Sequence, residues 1–328
     1  MDQLNHLFNH RQDLDFRYKN IRIIREIFWQ WGFTEVDVPQ IIRLPGQEPY
    51  LSPVPVSLHN ERGGEYFGYL HTSPEYCLKK MLAAGWGSIF YLGKCFRDQE
   101  SFGGGHNPEF TMLEWYRPQA DFYQLMEDVS ALVNTLATRV GRQSWPVRRV
   151  FMRELWQEFL QVDLDQLLTP QSLLPVCQSL GQPASATEPY EDLFFRIFLN
   201  FIEPKLPKNE LTIIHHYPLA LASLARESTV YPGYAERFEA YLGGWELANA
   251  FSELIDPKEQ KRRLEEEREI RKKTGRVVYD LDTEFIEALE VGLPPTAGIA
   301  LGVDRLIMAL RGCQNIDDVL TLPASKLF

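Results

Sequence analysis

The chain has 328 residues, enough for one large domain or two modest ones. With 45% hydrophobic and 24% charged residues it has the composition of a globular enzyme, which excludes a disordered chain as the starting point. A net charge of −11 argues against a chain devoted to holding tRNA or DNA by its phosphates.

In chain order, residues 17–31 (RYKNIRIIREIFWQW) place Ile21, Ile24, Ile27, Phe28 and Trp31 at helical spacing, with Arg and Lys on the other face. Gly32 is the stop signal. FTEVDVP alternates as a strand closed by Pro39, and a polar loop rich in Pro and Gly is expected at 43–65. Strands are predicted at 66–71 and 88–96, with a helix between them from Glu75 to Leu82. A turn at 98–108 then leads into the strand EFTMLEWYRP, completing a long hairpin. Residues 121–140 read as a helix. A helical insertion is expected at about 140–208, strands at 211–217 and 238–247, and a charged, solvated helix at 257–273. GIALGVDRLIMAL reads as strand, glycine turn and helix.

Strands in runs, without regular βα alternation, predict an α+β fold with an antiparallel sheet flanked by helices, in a single domain spanning 1–328. Cys77, Cys95, Cys177 and Cys313 form no C-x-x-C pair, so reduced thiols in a cytoplasmic protein are expected rather than a zinc site. No apolar run approaches the roughly 18 residues of a membrane span, and the N-terminus has no signal-peptide core.

The phosphate-binding glycine loops G-x-x-x-x-G-K-[ST] and G-x-G-x-x-G are both absent. A nucleotide would therefore have to be held by arginines and by carboxylates that bind a metal. Four stretches could do this. Arg97, with Asn107 and Phe110 across the hairpin, offers a cation, an amide and a stacking ring. The same residues could equally be a salt bridge and a core side chain. In Glu246-Leu247-Ala248-Asn249-Ala250-Phe251-Ser252-Glu253, Glu246 and Glu253 are candidate Mg²⁺ ligands. In an extended strand they share a face only across a bend or bulge, and surface glutamates are the commoner outcome. Gly302 to Arg305 opens a helix whose amides favour anions. Thr72-Ser73-Pro74-Glu75 is a helix start whose Glu75 could still face an amine.

Taken together, these stretches resemble the three signature motifs of class II aminoacyl-tRNA synthetases. The helix with VDVP resembles motif 1, FRD…HNPEFTMLEWY motif 2 and GIALGVDRLIMAL motif 3. TSPE, HHYP and ELANAFSEL are similar to segments of the lysyl branch. Motif 1 begins near residue 17, so the N-terminal OB-fold anticodon domain of that branch is not expected here. The chain is thus similar to the free-standing paralogues that join (R)-β-lysine to a lysine of elongation factor P. The resemblance implies a homodimer that uses ATP and Mg²⁺, takes lysine or (R)-β-lysine, and binds no tRNA or DNA stably.

It also implies site roles. Arg97, Asp98, Gln99, Asn107, Phe110, Glu246, Leu247, Gly302 and Arg305 would bind ATP, with Arg97, Arg305 and Glu246 catalytic. Ser73, Pro74, Glu75, Glu114, Tyr116, Glu253 and Ala300 would bind the amino acid. Ala300 stands where lysyl-tRNA synthetases typically have Gly. The family glutamate after Arg97 is matched by either Gln99 or Glu100, because the loop to His106 is one residue longer. Two other readings remain: a truncated lysyl-tRNA synthetase-like ligase with another acceptor, and a synthetase-like regulatory subunit without catalysis.

Overall fold

The computed structural model describes residues 2–328. Two helices open the chain, α1 (Asp2–Asn9) and α2 (Arg11–Gln30). Helix α2 starts six residues before the expected one, and it is closed by Gly32 at φ +80. Strand β1 (Thr34–Glu35) is only two residues long. Next come β2 (Ile41–Ile42), β3 (Pro55–His59), β4 (Glu65–Leu70), α3 (Glu75–Ala83), β5 (Ile89–Phe96), β6 (Glu109–Pro118) and α4 (Phe122–Arg139). The expected loop at 43–65 therefore contains a strand. Together β2, β4 and β3 form a small antiparallel sheet.

The insertion follows, with β7 (Val147–Phe151), α5 (Met152–Leu160), α6 (Pro170–Ser179) and α7 (Tyr190–Ile197). It has its own aromatic core around Trp156, Phe194 and Phe198. Then come β8 (Leu211–Pro218), β9 (Tyr234–Leu242), β10 (Trp245–Ser252), α8 (Pro257–Lys273), α9 (Thr283–Gly292), β11 (Thr296–Gly302), α10 (Val303–Arg311) and α11 (Ala324–Leu327). The expected single strand 238–247 is two strands. Gly243 (φ +69) and Gly244 (φ +88) take left-handed conformations at the turn between them, which costs glycine little.

Eight strands form the main sheet in the order β1-β5-β6-β11-β10-β9-β8-β7. All inner pairs are antiparallel, and only the edge pairs β1·β5 and β7·β8 are parallel. The insertion thus contributes an edge strand as well as helices. Period-2 alternation separates the two faces of the sheet. Leu113, Trp115, Ala248, Ala250, Ile299 and Leu301 pack against α2, α4 and α10 in the main core. Met112, Glu114, Tyr116, Asn249, Phe251, Gly298, Ala300 and Gly302 face the other way.

One polar knot crosses the apolar side. Arg17 of α2, expected among the exposed cations, is 4% exposed and pairs with Asp304 of α10. It also donates to Thr111 Oγ1 (2.7 Å), and Asp304 Oδ2 accepts from the Thr111 amide (2.8 Å). Removing one member of a buried charged pair costs about 3–5 kcal/mol. In urea denaturation, Asp304→Ala should lower the unfolding free energy by about that much, whereas Arg22→Ala in the exposed Arg22–Glu26 pair should change it by less than about 1 kcal/mol.

Candidate active site

The polar face of the sheet is the floor of a cavity of about 840 Å³. Its roof comes from Glu48–Leu51, the strap 219–225, Leu168 and Glu191 of the insertion, and one side of α8. Helix α8 is therefore more than a solvated helix. Gln260, Leu264 and Arg271 are buried, and Arg263, Glu267 and Ile270 face the cavity.

One end of the cavity is cationic. Arg97 follows β5 directly, and its guanidinium lies 5.0 Å from the centre of the Phe110 ring. Arg305, in the first turn of α10, donates to the carbonyls of Gly105 (3.2 Å) and Glu246 (3.0 Å) and meets His106 Nε2 at 2.9 Å. Arg237 of β9 adds a third guanidinium, bonded to Asn249 Oδ1 (3.2 Å) and Glu239 Oε1 (2.6 Å). Glu246 stands among them. Loss of solvent in the cleft and then nearby Glu239 push its carboxyl up to about 7, against Arg305, Arg237 and Arg97.

The other end is acidic. One row across the strands sets Tyr91, Glu114, Ala300, Asn249 and Glu239 side by side, and the next sets Tyr116, Gly298, Phe251 and Arg237. Glu114 is 2% exposed and accepts from Tyr116 Oη (2.8 Å) and Ser73 Oγ (2.9 Å). Burial and then Glu75 push it up to about 8, against those two hydrogen bonds and Lys79. A Cβ at Gly298 would lie 2.3 Å from both Tyr116 Cε1 and Glu253 Oε1, so only glycine fits beside this floor.

Most of the expected site residues converge here. Ser73, Glu75, Arg97, Asn107, Phe110, Glu114, Tyr116, Glu246, Leu247, Ala300, Gly302 and Arg305 all line the cavity. Asp98 and Gln99 do not. Asp98 caps the Gln99 amide at 2.9 Å, and Gln99 takes φ +62 in the loop, while Glu100 lines the cavity. Of the two residues that could match the family glutamate, Glu100 lines the cavity and Gln99 does not. Pro74 is buried at the start of α3, outside the lining. The Asn107 amide is committed to the backbone, donating to Glu109 O (2.6 Å) and accepting from Ala324 N (2.9 Å).

Glu246 and Glu253 are not brought together as a pair of metal ligands. A bulge between Glu246 and Ala248 does turn Glu246 onto the site face. Yet at about 3.4 Å per residue the two carboxylates stand roughly 20 Å apart along β10. Glu253 stands on the same side of the sheet just past the end of β10, its Oε1 against Gly298 but outside the cavity lining, 2% exposed, with Lys79 Nζ 2.6 Å away. Four residues carried no assignment in the sequence: Arg237, Glu48, Lys79 and Glu267. Strand parity alone marks Arg237, two residues before Glu239 on the same face; the others depend on contacts distant in sequence.

The model of the class II tRNA synthetases (D, K and N) matches residues 6–326. The chain belongs to this family. The chain is 38% identical over 309 residues to the elongation factor P–(R)-β-lysine ligase of Proteus mirabilis, covering 94% of each chain. It is 37% identical over 304 residues to the ligases of that name from Yersinia enterocolitica and Salmonella typhi, covering 92% of each. Within the synthetase family it groups with these ligases, and it is a ligase. No helix among the described residues is long and apolar enough to cross a membrane.

The floor and roof carboxyls set a pH dependence. Glu267 is pushed up to about 8 by burial and then by Glu48, as Glu114 is by burial and Glu75. Carboxyls held above their unfolded value of 4.5 favour folding while protonated. That stability is complete below 4.5 and is lost as pH rises through about 8. Thermal unfolding of the empty protein should therefore shift to lower temperature between about pH 7 and 8.5, and Glu114→Gln/Glu267→Gln should flatten the trend. A midpoint that climbs over that range would contradict these assignments.

Proposed function

We propose that this ligase activates (R)-β-lysine or lysine with ATP and transfers it to a lysine side chain of elongation factor P. The observation that carries the reading is the two-ended cavity, with guanidinium groups at one end and hydrogen-bonded carboxyls at the other. Triphosphate and the amino-acid carboxylate suit the first end; the two ammonium groups of a diamino acid suit the second.

In the first step a carboxylate oxygen of the amino acid attacks the α-phosphorus of ATP, and pyrophosphate leaves. Arg97, which lines the cationic end, would bridge the carboxylate and the α-phosphate. Arg305, fixed by Gly105, Glu246 and His106, would hold the γ-phosphate side and cover the base opposite Phe110. The protein's part is to position the reactants and to stabilise charge on the phosphates. In the second step the neutral amine of the acceptor lysine attacks the adenylate carbonyl. The amide bond forms, AMP departs with the C–O bond electrons, and the amine proton goes to solvent or to the phosphate.

Mg²⁺ fits at Glu246, whose carboxyl faces the cavity and is pushed up by loss of solvent and by Glu239, a burden that a dication relieves. No cluster of three or more His, Cys, Asp or Glu side chains among the described residues could hold a metal alone, which suits an ion that shares phosphate oxygens. When bound it would neutralise charge on the triphosphate.

The Ala300 methyl stands between Glu114 and Asn249 at the amine end, where lysyl-tRNA synthetases typically have glycine; that likeness and the names of the similar ligases support (R)-β-lysine over lysine. The acidic balance supports a protein acceptor over stable tRNA or DNA binding. A cytoplasmic homodimer built on α2 belongs to the same reading, supported by the exposed Tyr18 and Trp29 on that helix.

The test is to mix the protein with elongation factor P, ATP, Mg²⁺ and either lysine isomer, then measure the intact mass of the factor. A gain of one lysyl group is expected, larger with (R)-β-lysine, and lost by at least about 100-fold in rate with Arg97→Ala. Pyrophosphate exchange without any mass gain would remove the proposed acceptor.

A further inference from the structure

Lys79 is a buried cation that the two reaction steps do not use. It lies one turn beyond Glu75 on α3 and is 1% exposed. Its Nζ is 2.5 Å from Glu75 Oε1 and 2.6 Å from Glu253 Oε2, with the rings of Phe251 and Phe285 centred 5.5 and 5.8 Å away. Burial works against the ammonium, yet Glu253 and Glu75 raise it above its ordinary value, so it stays charged.

We infer that Lys79 is a positioning residue for the amino-acid site, anchoring Glu75 from behind and cancelling Glu253, so that the floor presents the charge of two carboxylates to a dicationic substrate.

The geometry leads there in two steps. Glu75 lines the cavity, and its Oε1 accepts from Lys79, which is buried outside the lining, so that bond orients the carboxyl. Glu253 is buried at the end of the floor, against Gly298 and outside the lining, so its charge would otherwise add to those of Glu75 and Glu114. Once the substrate's ammonium groups draw the proton off Glu114, three carboxylates less one internal ammonium leave a charge that those two groups neutralise. Without Lys79, Glu75 loses its anchor and an unpaired carboxylate is left in the core. The inference rests on the reading of the ligand as a diamino acid.

The experiment is lysine-dependent ATP–pyrophosphate exchange with the parent, Lys79→Arg and Lys79→Met. Lys79→Met should raise the KM for lysine about 30-fold with kcat and the KM for ATP within about threefold, and Lys79→Arg should recover most of the loss. A purely structural lysine would instead move the ATP and lysine constants together, or change only the melting temperature, and either result overturns the inference. If Lys79→Met does not fold, Lys79→Met/Glu253→Gln removes the stranded carboxylate. Against Glu253→Gln alone, a raised KM for lysine supports the anchoring of Glu75, and an unchanged one overturns it. If the parent itself shows no lysine-dependent exchange, the diamino-acid reading falls and this inference falls with it. An active parent with an indifferent Lys79→Met removes the inference alone.

Discussion

The Asp304 carboxylate holds three distant parts of the chain in register. One oxygen pairs with Arg17 of α2, the other accepts the Thr111 amide of β6, and the residue itself stands in the first turn of α10. All three groups are buried, so solvent cannot replace any partner, and losing one strands the others. Arg305 is the next residue along, and Phe110 precedes Thr111. The knot therefore fixes the separation between the stretches that carry Arg305 and Phe110, both of which line the cavity.

From that fixed end, the sheet carries the site outward by strand parity. Each step along β6 or β11 that leaves the core reaches the cavity, so Met112, Glu114 and Tyr116 stand beside Gly302, Ala300 and Gly298. The small residues of β11 leave space above the centre of the sheet, and the larger polar side chains of β6, β9 and β10 border that space. Charge segregates along the same axis. Arg97, Arg237 and Arg305 gather near Glu246, while Glu75 and Glu114 lie toward α3, hydrogen-bonded but short of full compensation, as the raised Glu114 carboxyl shows. The proposed joining of an anionic nucleotide to a cationic amino acid would need that separation, because each end would repel the other's ligand.

The signals that were local in the sequence were legible. The alternation in EFTMLEWYRP, the glycines of GIALGVDR and the helix start at Ser73–Glu75 placed the hairpin, the strand–turn–helix and a few candidate side chains, and the resemblance supplied the rest of the site residues and their roles. What escaped was set by contacts far apart in the chain. Arg17 looked like a surface cation because its partner lies 287 positions away. Lys79 carries no signal of its own in the sequence because its partner Glu253 lies far along the chain, just past β10. The bulge at Glu246 was named only as a condition, since no residue type there demands it. The charged helix 257–273 read as solvated because the cavity it covers is assembled from the insertion, the strap and the early loop.

The most direct measurement is calorimetric titration of the empty protein with lysine and with norleucine, which has the same carbon chain but lacks the distal ammonium. A floor built from Glu75, Glu114 and Tyr116 to hold two ammonium groups predicts that lysine binds at least about 100-fold more tightly, because norleucine leaves buried polar groups without a partner. Equal affinity for the two would contradict the assignment of the acidic end to a diamino acid.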